Sequence, residues 1–279
     1  MKIYLNVPSI CRHVFIQMMT AFAGEFREMG YETTIVEDLN DLEKNSLLIL
    51  FGYQGYVDRP DILEQLSNYK VVIFNAEQLP TGIWDNIIHE WNNYLAIWDY
   101  SVLNIQYLKS KGVHNTFLVP LGYSKYFKVM NLCSNRNKEI VFFGTINERR
   151  EKMMENIKKS GYNVKYIEVW DENYKQVIRE NQVFLNIHYY QPSILEYFRI
   201  IPILSNKGIV ISERSNDPFL DILVSKYVYW IDGDNILGQM SKIYENMQIK
   251  DWDQKYKEFK QEVNLSKSLQ AALIDLKFV

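Results

Sequence analysis

The sequence predicts an α/β protein made of two doubly wound lobes in series, each with a mainly parallel sheet. Three observations carry that prediction. Short apolar runs alternate with amphipathic stretches along almost the whole chain, which is the pattern of βαβ units. The alternation is broken once, by the polar stretch SKYFKVMNLCSNRNKE (124–139), and then begins afresh with a strand. The length of 279 residues also suits two compact domains better than one small module. The expected division is 1–124 and 125–262, with a C-terminal helix, 263–279, packing back on the first lobe.

KIYLNV (2–7) reads as the first strand. After Pro8, with Ser9 placed to cap, Phe15, Met18, Met19, Phe22 and Phe26 recur at helical spacing up to Gly30. YETTIVE (31–37) and SLLILFGY (46–53) are strands, followed by a helix after Pro60. KVVIFNAEQL (70–79) is the most apolar strand of this half, and Trp84, Ile87, Ile88 and Trp91 mark one helix face. LAIWDYS (95–101), a helix through Ile105 and Leu108, and TFLVPLGY (116–123) complete the first lobe. In the second, EIVFFGT (139–145) leads to a helix carrying Met153, Met154 and Ile157. NVKYIEVW (163–170), a helix around Tyr174–Ile178 and VFLNIHYY (183–190) come next. A helix from about Ser193 to Ser205, GIVISE (208–213), YVYWID (227–232) and C-terminal helices end the pattern.

Composition removes several function classes. Hydrophobic residues at 47% and charged residues at 23% are globular values, which exclude a disordered tail or a collagenous stalk. The formal net charge of −3 supplies no global field for a nucleic-acid backbone or an anionic membrane. Cys11 and Cys133 match no metal or redox spacing, so a reduced, cytoplasmic compartment is the expectation. No apolar run reaches the ~18 residues of a membrane span, and the first apolar segment breaks at Pro8.

The glycines and histidines exclude more. No two glycines lie two apart, so the G-x-G-x-x-G dinucleotide turn is missing, and Lys111-Gly112 and Lys207-Gly208 have the wrong order for a P-loop. His13, His89, His114 and His188 are scattered, and no metal-ligand spacing is legible. Asp232-Gly233-Asp234 has the form of a metal-binding D-x-D, but it reads better as a turn and cap for the helix that follows.

Three stretches carry the candidate chemistry. In FFGTINERR (142–150) a strand feeds a tight turn and a helix. Gly144 lets a ligand approach the backbone, Thr145 offers a hydroxyl and Asn147 is placed to cap. Arg149 and Arg150 fall in the first helical turn, where the macrodipole disfavours cations unless an anion such as a diphosphate sits there. Neutralisation by Glu148 and solvent is the structural alternative. In LNIHYYQPSILEYFRI (185–200), Asn186, His188, Tyr189 and Tyr190 end a buried strand, the place where α/β sheets bind ligands. Glu196 and Arg199 then share a helix face, as ligand contacts or as a plain ion pair. In the first lobe, Asn75, Glu77 and Gln78, and Asp99, Tyr100 and Ser101, follow apolar strands; Glu77 or Asp99 is placed either as a base or as a helix cap.

With these motifs in hand the chain resembles the GT-B glycosyltransferases, in the group with a glycosyltransferase group 1-like C-terminal lobe. The resemblance rests on VVIFNAEQL, IWDYSVLN and VPLGY in the first lobe, and on VFFGT…RR, LNIHYY…LEYFRI and GIVISE in the second. It implies two Rossmann-like lobes, a nucleoside-diphosphate-sugar donor on the C-terminal lobe, a sugar or other hydroxyl acceptor on the N-terminal one, and no cofactor or obligatory metal. By position it implies that Gly144 and Thr145 line the donor phosphates with Arg149 or Arg150 neutralising them, that Asn186, His188 and Glu196 edge the donor pocket, and that Gly208 matches the glycine before the next strand. Tyr189, Arg199 and Glu213 join the donor-side candidates, and Asn75, Gln78, Asp99 and Tyr100 are the acceptor-side ones. Glu77 and His188 stand as the catalytic candidates. One departure is visible: where group members often carry a second glutamate eight positions after Glu196, this chain has Leu204, with Glu213 as the nearest substitute. A nucleotide-sugar epimerase and a non-catalytic sugar- or nucleotide-binding subunit of a larger complex remain the alternatives at this level.

Overall fold

The computed structural model describes residues 2–169, 173–231, 236–249 and 252–277. The chain divides into two compact units, one formed by Met1–Tyr126 with Leu265–Val279 and the other by Phe127–Asn264. Asp232-Gly233-Asp234 and Trp170 lie outside the described residues.

The first unit contains β1 (Lys2–Asn6), α1 (Arg12–Glu28), β2 (Glu32–Val36), β3 (Leu47–Phe51), α2 (Pro60–Leu66), β4 (Lys70–Asn75), α3 (Asp85–Ile88), β5 (Ala96–Asp99), α4 (Val102–Ser110) and β6 (Thr116–Leu118). Its six strands are parallel in the order β2-β1-β3-β4-β5-β6. Every residue of β3 is buried, as expected for a parallel strand covered on both faces. Phe22 of α1 lies edge-on to Phe51 of β3 and Phe74 of β4, with centroids 5.3 and 5.0 Å apart, and so ties helix to sheet. The helix expected through Trp84–Trp91 is instead the four-residue α3 followed by a 3-10 turn, His89–Asn93. The tighter turn carries Trp91 into the core, 5.9 Å from the Tyr53 ring.

The second unit contains β7 (Asn137–Phe143), α5 (Glu148–Lys159), β8 (Val164–Ile167), α6 (Tyr174–Glu180), β9 (Asn181–Asn186), α7 (Tyr197–Ser205), β10 (Ile209–Glu213), α8 (Pro218–Val224), β11 (Val228–Ile231), α9 (Ile236–Ile249) and α10 (Trp252–Glu262). Its five strands are parallel in the order β11-β10-β9-β7-β8. Sequence reading missed α8, although its start is conventional: Asp217 caps the N–H groups of Phe219 and Leu220, and Pro218 opens the helix. A final helix, α11 (Leu265–Asp275), belongs to the first unit, where it packs against α1 and the Leu265 N–H donates to the Tyr123 carbonyl at 3.1 Å.

Both sheets share one topology. The chain winds outward from the first strand of each sheet to one edge, then returns past that strand and winds to the other. The reversal falls between β1 and β3 in the first sheet and between β7 and β9 in the second. Ligands of open α/β sheets bind in the crevice at the carboxyl ends of the strands flanking such a reversal. In the second unit those ends are Phe143-Gly144 and Asn186.

Two boundaries differ from expectation at this crevice. The strand expected over 183–190 stops at Asn186, and the helix expected from Ser193 starts at Tyr197. The intervening segment, 187–196, is a loop because its polar groups are held from inside the unit rather than by helix or ladder bonds.

Candidate functional site

Gly144 follows β7 with φ at 128°, a conformation in which a side chain is strained. A Cβ built there would lie 2.7 Å from Nη2 of Arg199, the movable tip of a flexible side chain, so it is the positive φ that calls for glycine. Three residues on, Asn147 caps α5 by accepting the Arg150 N–H at 2.9 Å.

Arg149 and Arg150 point in different directions. Arg150 is 2% exposed and folds back under the loop. Its Nε donates to the Ile187 carbonyl at 2.9 Å, Nη1 to the Thr145 carbonyl at 2.6 Å and Nη2 to Glu196 at 3.4 Å. Its guanidinium also lies over the rings of Phe142 and Tyr189, at 5.3 and 5.1 Å. Burial, reinforced by the neighbouring Arg199 charge, pushes its pKa down to about 10. Arg149 stays 29% exposed and grips Glu213 in a bidentate pair, with one bond of 2.9 Å. It also donates to the His188 carbonyl at 2.8 Å. Glu148 is not the partner of either arginine; Glu213, Glu196 and main-chain oxygens are.

Glu196 is the residue that holds the loop. It precedes α7 rather than lying on its face, and its two oxygens receive four donors. Oε2 accepts from Asn186 Nδ2 at 3.0 Å and meets His188 Nδ1 at 2.7 Å. Oε1 accepts from the Tyr189 N–H at 3.2 Å and from Arg150 at 3.4 Å. Burial alone would raise its pKa; the His188 charge and bond, with Arg199 and Asn186, outweigh it and bring the carboxyl down to about 2. Glu196 and Arg199 do not form the direct ion pair that was one of their two readings, though their charges act on each other: Arg199 Nη1 donates to Asn186 Oδ1 at 2.9 Å.

His188 is 1% exposed and both ring nitrogens are committed. Nε2 lies 3.0 Å from the Arg214 carbonyl oxygen, which can only accept, so Nε2 carries a proton. Nδ1 faces the ionised Glu196, so it is protonated as well and the ring is an imidazolium. Burial works against that charge, but Glu196 and Glu213 prevail and the pKa is raised above its ordinary value. Both ring nitrogens of this catalytic candidate are engaged in these bonds. It pins the main chain at Arg214 to the β9 loop.

That pin shapes one wall of an open pocket of about 360 Å³ lined by Arg149, His188, Gln191–Ser193, Glu213–Asn216 and Ile231. The Ser193 N–H donates to Asn216 Oδ1 at 2.9 Å and the Asn216 N–H to the Ser193 carbonyl at 2.8 Å, which closes the pocket's far side. Arg214, Ser215 and Asn216 were missed by the sequence reading; the polar run directly after β10 is the signal that would have found them. Around this end of the sheet Arg149, Arg150, Arg199, Arg214 and protonated His188 outnumber Glu196, Glu213, Asp217 and Asp221 by one. The site suits an anion.

In the first unit, the expected acceptor-side residues are largely consumed by the fold. Asp99 is fully buried and accepts from Asn75 Nδ2 at 2.6 Å, the Ser101 N–H at 2.8 Å and Asn104 Nδ2 at 3.0 Å. Asn104 in turn bonds the Glu77 carbonyl at 2.8 Å and the Leu79 N–H at 3.0 Å. The cluster clamps the β4 and β5 ends to α4, whose cap is Ser101 and not Asp99. Tyr100 is buried with it, and Gln78 is half-buried beside it. Glu77 differs: it caps no helix, its carboxylate accepts from Gln54 Nε2 at 2.7 Å, and burial raises its pKa despite a bond from Trp84. Gln54 sits in the turn after β3, so Glu77 reaches the topological reversal of the first sheet while Asn75 and Asp99 do not.

Among the described residues no group of three or more histidine, cysteine or acidic side chains could hold a metal ion, and no helix is long and apolar enough to cross a membrane.

No family model matches the chain. The uncharacterized protein L140 of Acanthamoeba polyphaga mimivirus is 24% identical over 273 residues, covering 88% of this chain and 86% of that protein. Solved structures are similar at low identity. A glycosyltransferase from Rickettsia africae superposes with a TM-score of 0.60 at 11% identity, covering 99% of this chain and 97% of the other. Anabaena HepE in complex with UDP and glucose gives 0.60 at 10% identity, covering both chains fully at 100%. Sucrose-phosphate synthase from Thermosynechococcus elongatus gives 0.62 at 10% identity over 100% of this chain and 99% of its own. Two parallel sheets of matching winding, each flanked by helices, and these superpositions give this chain the GT-B fold found in glycosyltransferases.

Proposed function

We propose that the protein is a glycosyltransferase that takes a sugar from a nucleoside diphosphate and passes it to an acceptor hydroxyl. The observation that carries this reading is the excess of fixed positive charge at the reversal point of the second sheet, beside a turn whose positive φ calls for glycine. Breaking a sugar–phosphate bond leaves the charge on the diphosphate. Cations already held in place stabilise that charge without reorganising during the reaction. The pocket between the β9 loop and the segment after β10 then takes the nucleoside, walled by Ser193 and Asn216. HepE, which shares the fold, was solved with UDP, and this makes UDP the first ligand to try. On the acceptor side Glu77 is the base candidate, because its burial-raised carboxyl is better matched to taking a proton near neutral pH than an ordinary glutamate.

Differential scanning fluorimetry against UDP, GDP, ADP, CDP and dTDP tests the reading. A ligand that binds only the folded state at a hundred times its Kd adds about 2.7 kcal/mol of apparent stability, enough for a clear rise in Tm. A Tm unmoved by all five at millimolar concentration removes the proposed donor. Release of the diphosphate from the matching nucleotide sugar, dependent on an added acceptor, then separates transfer from epimerisation.

A further inference from the structure

The buried carboxylates at the two sheet ends are held in opposite ways. In the second unit Glu196 and Glu213 are met by arginines and a histidine. In the first, Glu77 is met by neutral donors, Gln54 Nε2 at 2.7 Å and the indole N–H of Trp84. Among the described residues no lysine, arginine or histidine pairs with Glu77. Its main chain is locked as well. The Glu77 N–H donates to Asn75 Oδ1 at 3.1 Å, and its carbonyl accepts from Asn75 and Asn104 at 3.1 and 2.8 Å. A carboxylate has about four lone-pair sites, so two donors leave room for an incoming hydroxyl.

Gln54 reaches Glu77 from a turn that is held on every side. The turn, Tyr53–Tyr56, leaves β3 through Gly52, whose φ is 63°. The Tyr53 hydroxyl donates to Glu90 Oε2 at 2.9 Å, and the Tyr56 hydroxyl to Asn6 Oδ1 at 2.7 Å. Asn6 is itself fully buried at the end of β1 and donates to the Val36 carbonyl at 2.9 Å. Gly55 closes on Pro8, where a Cβ would stand 2.9 Å from two ring carbons. Within this frame Gln54 makes one hydrogen bond among the described residues, and that bond goes to Glu77. A glutamine left to solvent needs no such frame.

We propose that Gln54 is a positioning residue for proton removal: its side-chain amide fixes the Glu77 carboxylate at the reversal of the first sheet, and its lack of charge keeps that carboxylate a base. This rests on the functional reading above and deepens its acceptor side. In the transfer step the acceptor oxygen bonds to the sugar carbon and the acceptor proton passes to Glu77. The sugar–phosphate bond breaks, and its electron pair leaves with the diphosphate. A cation in place of Gln54 would stabilise the carboxylate and weaken it as a base; an anion would hold it protonated.

The test follows the side-chain carboxyl carbon of Glu77 by NMR against pH, in the full-length chain with carbon-13-labelled glutamate. Its signal is identified by its loss in E77Q. Wild type is compared with Q54E, Q54K and Q54L, with Tm as the folding check. Q54E should move the Glu77 midpoint up and Q54K should move it down, a pair of opposite signs that a merely structural glutamine would not produce. Q54L removes a donor to the charged form, so it too should move the midpoint up, and it carries the test if a charged variant fails to fold. In the diphosphate-release assay, Q54L should lower kcat by about tenfold or more while KM for the nucleotide sugar stays within about twofold. A midpoint unmoved in the folded variants, the same direction for Q54E and Q54K, or a Q54L kcat within about threefold of wild type overturns the assignment of Gln54. A wild-type chain that binds no nucleoside diphosphate overturns the functional reading itself, whatever the Gln54 variants do.

Discussion

Replacing Glu196 by glutamine keeps the shape of the side chain and removes its charge. Four donors lose a carboxylate in that single change: His188 Nδ1 at 2.7 Å, Asn186 Nδ2 at 3.0 Å, the Tyr189 N–H at 3.2 Å and Arg150 at 3.4 Å. The glutamine NH2 must also face N–H groups already pointing inward. Glu196 is 13% and His188 2% exposed on their side chains, so water replaces little of what is lost. Breaking a buried pair by neutralising one partner costs about 3–5 kcal/mol. Native-state hydrogen exchange is the suitable assay, because two units need not unfold together. Amides in β9 and α7 should lose about 3–5 kcal/mol of opening free energy in E196Q, while those in β3 of the first unit stay unchanged. A loss below about 1 kcal/mol in β9 and α7 would show that Glu196 is an ordinary surface-type carboxylate and refute the hub.

The same pair fixes a pH window, and its two limbs have opposite signs. Glu196 is held at about 2 against an ordinary 4.5, so its contribution is full above 4.5 and fades as pH falls toward 2. His188 is raised above 6.5, so its contribution is full below 6.5 and fades as pH rises through the raised value. Protection of β9 should therefore peak between these ordinary values and fall on both sides, and E196Q should flatten both limbs. In E213Q, Arg149 and the His188 N–H both lose a carboxylate, and urea unfolding should show about 1.5–3 kcal/mol of lost stability in the second unit. D99N turns an amide NH2 toward donors in the first unit; it should cost about 2–3 kcal/mol by denaturant titration yet leave nucleotide affinity within about twofold. E77Q should do the reverse, lowering kcat by about 10²-fold or more with Tm nearly unmoved; a kcat within about threefold removes Glu77 as the base.

Much of the fold was legible because parallel strands buried on both faces write continuous apolar runs, as in Leu47–Phe51 and Val71–Phe74. The turn from β7 into α5 was legible for a related reason: Gly144 and Asn147 are local signals, and local signals survive in one dimension. What the one-dimensional reading lacked was direction. Glu196 and Arg199, three apart, read as neighbours on a helix face, but α7 begins at Tyr197. One side chain consequently turns toward His188 and the other toward Gly144. Asn75 and Asp99 follow apolar strands just as Asn186 does, and only the sheet order shows that they lie away from the reversal between β1 and β3. The partners of His188, Glu196 and the Arg214 carbonyl, are separated from it in sequence and become visible only when β9 and β10 pair.

The most direct measurement is a two-dimensional amide NMR titration of the isotopically labelled full-length chain with UDP and its companion nucleoside diphosphates. Binding at the second sheet's reversal predicts shifts at Gly144, Tyr189 and Ser215–Asn216, with Asp99 and its neighbours silent. Spectra unchanged by every nucleoside diphosphate, or shifts confined to residues far from Gly144 and the β9 loop, would contradict it.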